Sequence, residues 1–261
     1  MGDPQFLQVD STDGVLTAVF NRPKANAFNG PMIEEWLAVL KDAERDDSVR
    51  CLLLTGAGRF FSAGQDVTAF EGTDGQVSFR QHLHRTYNRV ILRMRKLEKP
   101  IVGVINGPAV GAGLGIALAT DVRIAAESAN FIYGFTGIGL SADSGTSLAL
   151  PLLVGPARAA ELAFTNRTVT AREALEMGLV NRVVPDTELK DQAHELAASL
   201  ASGPTRAIGL SKRALNRSAM GSLEATLEYE AQLQEIAGRS EDHAEGLAAF
   251  LEKRPPKFQG K

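Results

Sequence analysis

The chain of 261 residues holds a single cysteine, Cys51, so no disulfide can form within it. Cys51 lies in the apolar run CLLLTG and is expected to pack there as a small hydrophobe. No apolar stretch approaches the roughly 20 residues that a membrane-spanning helix needs, and no membrane partner is expected. The N-terminal stretch MGDPQFLQVD lacks both the basic segment and the apolar core of a secretory leader, so a cytoplasmic location is expected. An excess of one charge is missing too. Twenty-eight Lys and Arg stand against 31 Asp and Glu, a net charge of −3, and the cations are scattered, which disfavours nucleic acid as a partner. The four histidines and one cysteine show no metal-ligand spacing, and no short repeat or low-complexity tract is present.

What is present suits a large soluble α/β domain, with 44% of residues hydrophobic. FLQVD and GVLTAVF flank a short turn and read as a hairpin. CLLLTG and PIVGVING are continuous apolar runs that predict strands buried on both faces. A helix is expected after NGP, with Pro31 in its first turn and Trp36, Leu37 and Leu40 on its apolar stripe. A second helix is expected to run unbroken through QVSFRQHLHRTYNRVILRMRKLE and to stop before Pro100. Beyond DVRIAAESANFIYG the pattern is mostly helical. This divides the chain into a β-rich core, residues 1–200, and a helical C-terminal region, residues 201–261.

Two loops place small residues where a strand ends: GAGRFFSAGQDV after CLLLTG, and NGPAVGAGLGIAL after PIVGVI. Backbone N–H groups in such loops can point at a ligand without side chains in the way. GAGLGIA resembles a dinucleotide fingerprint only superficially, because no second βαβ unit follows it.

Together with NRPKANAFN, INGPAVGAGLGIALATDVRIAAESANF and GLVNRVVP, in this order, these loops resemble the crotonase (enoyl-CoA hydratase/isomerase) superfamily over nearly the whole chain. The resemblance implies a spiral of ββα units with a helical trimerisation region, assembling as a trimer or dimer of trimers. It implies an acyl-CoA thioester substrate and no separate cofactor, coenzyme A arriving as part of the substrate. The backbone N–H groups of Gln65 and Ala112 are the implied oxyanion hole, and Ala63, Gly64, Asp66 and Gly111 are implied around the substrate. Lys24 is implied near the CoA phosphates, and Phe250 and Lys253 at a neighbouring subunit's CoA site.

The family's hydratases use two glutamates, and the matching positions here are Gly115 and Phe135, neither of which can transfer a proton. The segment GIGLSADSGTSLALP then draws attention, because Asp143 is the one charged residue between Ser128 and Ala157. It resembles the acid of ring-opening epoxyphenylacetyl-CoA isomerases, whose motif has proline where this chain has Ala142, and it also matches the nucleophilic aspartate of 4-chlorobenzoyl-CoA dehalogenases. The resemblance to the isomerases makes Asp143 the expected proton shuttle, with a hydratase or a silent acyl-CoA binder as alternatives. An aspartate before SGTSLAL also suits the N-cap of a helix beginning near Ser144, and the two roles are compatible. His82 and His84 are expected on a solvated helix face, His194 and His243 at the surface, and Asp66 and Asp121 as loop and strand-end hydrogen-bonders.

Overall fold

The computed structural model describes residues 5–23, 25–70 and 78–261. Strands β1 (Leu7–Thr12) and β2 (Val15–Phe20) form the expected antiparallel hairpin. Helix α1 (Gly30–Arg45) starts at Asn29, whose side chain accepts from the Met32 N–H, and carries Pro31 in its first turn. There follow β3 (Cys51–Gly56), α2 (Phe79–Arg85), α3 (Tyr87–Lys96), β4 (Ile101–Ile105), β5 (Ala109–Val110), α4 (Ala112–Leu118), β6 (Val122–Ala126) and β7 (Asn130–Ile132). The rest of the chain comprises α5 (Thr146–Val154), α6 (Pro156–Thr165), β8 (Val169–Thr170), α7 (Ala171–Glu176), β9 (Arg182–Val184), α8 (Leu189–Ser202), α9 (Thr205–Ala219), α10 (Leu223–Ala237) and α11 (Glu241–Glu252).

The main sheet has the order β1-β2-β3-β4-β6-β9, antiparallel at the hairpin and parallel from β2 onward. A smaller sheet, β5-β7-β8, lies beside it. Alternation along CLLLTG explains why the run is apolar throughout. Leu52 and Leu54 enter the larger core, whereas Cys51 and Leu53 pack with Val102, Val104 and Ile124 under Ala193 and Ala197 of α8. Burial pushes the Cys51 thiol up to about 12, so it remains protonated and packs as expected. In the larger core Phe20 meets Phe28, Trp36 and Phe61 edge-on, at centroid distances of 5.1, 6.0 and 5.8 Å.

The single helix expected over residues 76–98 is two helices. The backbone breaks at Thr86 (φ −118°, ψ −96°), whose hydroxyl donates to the His82 carbonyl at 2.6 Å. A β-branched hydroxyl residue can trade helical geometry for such a bond, and the break aims α2 and α3 differently. Among the described residues no helix is long and apolar enough to cross a membrane.

Candidate active site

The two glycine-containing loops meet at one cavity of about 770 Å³, counting its open mouth, a volume within the range of small-molecule sites. The loop after β3 is tied to Phe28, which donates to the Gly64 carbonyl at 2.7 Å and accepts from the Asp66 N–H at 2.9 Å. In such a parallel bridge the N–H of the intervening residue, Gln65, points away from Phe28. The same loop is joined to the second one by Ser62 N–H to Pro108 O and Val110 N–H to Ser62 O, at 3.1 and 3.0 Å. The contact is close. Gly64 has φ 85°, and a β-carbon there would lie 2.6 Å from the Val110 carbonyl oxygen. Gly111, at φ 54° and ψ −122°, turns the chain into α4, and the first-turn N–H of Ala112 is left without an intrahelical acceptor. Among the described residues neither the Gln65 nor the Ala112 N–H donates a hydrogen bond, and both residues line the cavity.

The Gln65 side chain is held as firmly as its backbone. Its Nε2 donates to Asp66 O at 3.1 Å, which orients the amide so that Oε1 receives the Tyr87 hydroxyl at 2.7 Å and His82 Nε2 at 3.0 Å. A carbonyl oxygen only accepts, so His82 carries its proton on Nε2. Burial lowers the His82 pKa and raises that of Tyr87. His82 is therefore a wall of the cavity and not a solvated residue, because the break at Thr86 lets both helices converge on Gln65. His84, by contrast, is exposed and meets Glu228 at 3.1 Å.

Asp143 lines the cavity and is buried. Ser144 Oγ donates to Oδ1 at 2.6 Å, and Gln234 Nε2 of α10 donates to Oδ2 at 3.1 Å. Burial, opposed by the Ser144 bond and assisted by the charge of Glu230, pushes Asp143 up to about 7. The carboxylate does not cap α5. Ser144 and Gly145 both take left-handed φ, 57° and 72°, which swings the Asp143 side chain off the helix end and leaves only its carbonyl to accept from Thr146. The cap comes from α10 instead. Glu230 accepts from Gly145 N–H at 2.8 Å, Ser147 N–H at 2.9 Å and Ser147 Oγ at 2.5 Å.

Phe135 is buried with Phe79, Leu140 and Ala142, edge-on to Tyr133 at 5.0 Å, and makes the cavity apolar beside Asp143. His243, expected at the surface, is buried in the cavity wall. Its Nδ1 donates to Ile138 O at 2.8 Å and its ring meets Phe79 edge-on, because Gly139 and Gly246 let α11 press against the turn at Thr136–Ile138. His194 is exposed, as expected.

Ala63, Gly64 and Gly111 line the cavity. Asp66 does not: it is engaged by Arg22 at 2.7 Å and by the Thr68 hydroxyl at 2.6 Å, bonds that outweigh burial and lower its pKa. Asp121 accepts from Ile101 N–H and pairs with Arg95 and Lys212, the strand-end role foreseen for it. Phe250 lines this chain's own cavity while 60% exposed, and Lys253, at the end of α11, does not line it. Lys24 lies outside the described residues.

Tyr87, Glu230 and Gln234 were not foreseen. The signal for the last two was present, since a glutamate and a glutamine share the buried stripe of α10 with Leu223, Leu227 and Ala231. Among the described residues no cluster of His, Cys, Asp or Glu is placed to hold a metal ion.

The chain is 42% identical over 260 residues to the 1,2-epoxyphenylacetyl-CoA isomerase of Escherichia coli K12, covering 98% of this chain and 99% of the relative. It is 39% identical over 251 residues to 4-chlorobenzoyl coenzyme A dehalogenase-1 of an Arthrobacter species, covering 95% and 91%. A solved enoyl-CoA hydratase from Mycobacterium avium subsp. paratuberculosis K-10 superposes with a TM-score of 0.88 at 34% identity, over 97% of this chain and 98% of the other. The paired loops around one cavity and the sequence model that matches residues 10–261 lead to one assignment: the chain belongs to the enoyl-CoA hydratase/isomerase family.

Proposed function

We propose that this enzyme is an acyl-CoA isomerase in which Asp143 moves a proton along the acyl chain of a thioester whose carbonyl oxygen is held by the N–H groups of Gln65 and Ala112. The observation that carries the reading is Asp143 itself, the only carboxylate among the described residues lining the cavity. Gly115 and Phe135 occupy the positions where the hydratases of the family are expected to carry their two glutamates, which counts against hydration as the main reaction.

On a 3-enoyl thioester the Asp143 carboxylate takes a proton from C2. The C2–H electron pair moves into the thioester to give a conjugated enolate with its charge on the carbonyl oxygen. As that charge returns, the C2–C3 double bond forms, the C3–C4 double bond opens, and the same proton is delivered to C4. Nothing is consumed, so one carboxyl group suffices. The intermediate enolate places charge on the thioester oxygen, and two preorganised N–H donors there contribute most of the stabilisation, about 3 kcal/mol or more for one such donor. A base that titrates near 7 is matched to proton transfer at neutral pH. The apolar wall around it, with Phe79 and Phe135, suits an unsaturated or arylacetyl group of the kind named for the Escherichia coli relative.

We extend the proposal to assembly. Leu215, Tyr229 and Ile236 on α9 and α10 are exposed apolar side chains suited to contact with further copies in a trimer or dimer of trimers. The deciding experiment follows a 3-enoyl-CoA in deuterated water. Asp143→Asn should bind the substrate with little loss and isomerise it at least about a hundredfold more slowly. Full turnover by that variant would overturn the reading.

A further inference from the structure

We infer that Gln234 is a positioning residue for the proton shuttle, delivering one N–H from α10 to the Asp143 carboxylate and thereby setting both its orientation and its readiness to accept a proton. The inference rests on the reading of Asp143 as the base.

The geometry is specific about which end of the amide does this. Ser141 Oγ donates to Gln234 Oε1 at 3.2 Å, so the Nε2 end faces Asp143 Oδ2 at 3.1 Å. Reversing the amide would set a carbonyl oxygen against the carboxylate and lose the bond to Asp143, whereas the Ser141 hydroxyl, which can donate or accept, pairs with either end. With Ser144 on Oδ1, each carboxylate oxygen receives one donor, which fixes the plane of the group while leaving lone pairs for a substrate proton. Gln234 is itself buried, in the same cavity wall. An amide in that position on α10 has no packing advantage over the leucine or alanine elsewhere on the stripe, and it carries a cost unless its polar atoms are satisfied.

Its helix is anchored independently. Glu230, one turn earlier, bonds to Gly145 and Ser147 on the far side of the Asp143 segment. The titratable groups facing Asp143 come from several elements: Glu230 on α10, Tyr87 on α3, Tyr133 after β7, and, across the cavity, His82 on α2 and His243 on α11. Burial and the Glu230 charge both favour the protonated acid. Gln234 and Ser144 donate to it and favour the anion, so removing the amide must move the titration upward.

The test compares the full-length protein with Gln234→Met, close in shape but without the donor, and Gln234→Glu, which adds a like charge. Two readouts are used: the pH profile of 3-enoyl-CoA isomerisation, and the carboxyl carbon resonances of protein labelled at aspartate. Gln234→Met should raise the acid limb and the carboxyl titration by about one pH unit, the span expected for one hydrogen bond to a charged group. At pH 7 its kcat should fall about fivefold with KM within about twofold, as the ionised fraction drops, and Gln234→Glu should move the limb further upward. A purely structural glutamine would alter stability and leave both titrations in place. Unmoved titrations in both variants would overturn the inference. If instead Asp143→Asn turns over fully while Gln234→Met still shifts the carboxyl signal, the contact stands and the base assignment fails.

Discussion

Ser144 occupies the space that a side chain at Gly115 would need: a β-carbon on Gly115 would lie 2.4 Å from Ser144 Cβ and 3.0 Å from Thr146 Oγ1. Ser144 Cβ is fixed to the backbone beside Asp143, so this neighbour cannot rotate away. Gly115→Ala should destabilise the protein by about 1–3 kcal/mol, the range for overpacking a tight core, measurable by urea denaturation. Gly115→Glu, alone or with Phe135→Glu, should therefore produce no hydratase. Appearance of 3-hydroxyacyl-CoA from a 2-enoyl-CoA in either variant would contradict this account of the missing glutamate.

The isomerisation rate should follow the ionisation of Asp143. A base works deprotonated, so kcat/KM should climb with pH and level off above an inflection near 7. Glu230 contributes to that value through its negative charge. Glu230→Gln should consequently move the inflection to lower pH, opposite in sign to the effect of losing Gln234. Stopped-flow or steady-state profiles between pH 5 and 9 would read both.

Stability should show the same acid with the opposite preference. The folded pKa of Asp143 lies above its unfolded value, so the folded state holds the proton more tightly. Its contribution is favourable below about pH 4 and is lost as pH rises through about 7. Asp143→Asn removes the anion from the interior and should melt several degrees above the parent at pH 8, with the difference closing toward pH 4. Calorimetric scans across that range provide the check, and a difference independent of pH would mean that Asp143 is not buried as an acid.

Glu230 also satisfies the buried Gly145 N–H and the part-buried Ser147 N–H at the start of α5. Glu230→Leu should leave both without an acceptor and cost about 2–4 kcal/mol, with Glu230→Gln milder because its amide oxygen still accepts. Chemical denaturation of the two variants would rank them.

Assembly gives a further outcome. Light scattering at micromolar concentration should return the mass of three or six chains, and Ile236→Glu on the exposed side of α10 should shift it toward the monomer. A monomeric mass for the parent protein would refute the trimer.

Local pattern carried much of this molecule. The hairpin, the doubly buried strands, the helix opened by Pro31 and the small residues at the ends of two strands all follow from periodicity and turn chemistry acting within about ten residues. The meeting of those two loops was implied only by the family resemblance. The motifs around those loops were specific enough to name a family and to isolate Asp143 as the one acid in an apolar segment. Tertiary structure decided what surrounds that acid. The donor on its Oδ2 lies 91 residues away on α10, and the cap of α5 is supplied by Glu230 from the same helix, not by Asp143. His82 and His243 look like ordinary polar residues of helices until the break at Thr86 and the glycines at 139 and 246 bring them into the cavity wall. The physical reason is one of range: backbone preference is set by neighbours in the chain, whereas burial, hydrogen-bond partners and the pKa of a carboxyl group are set by whatever the fold packs against it.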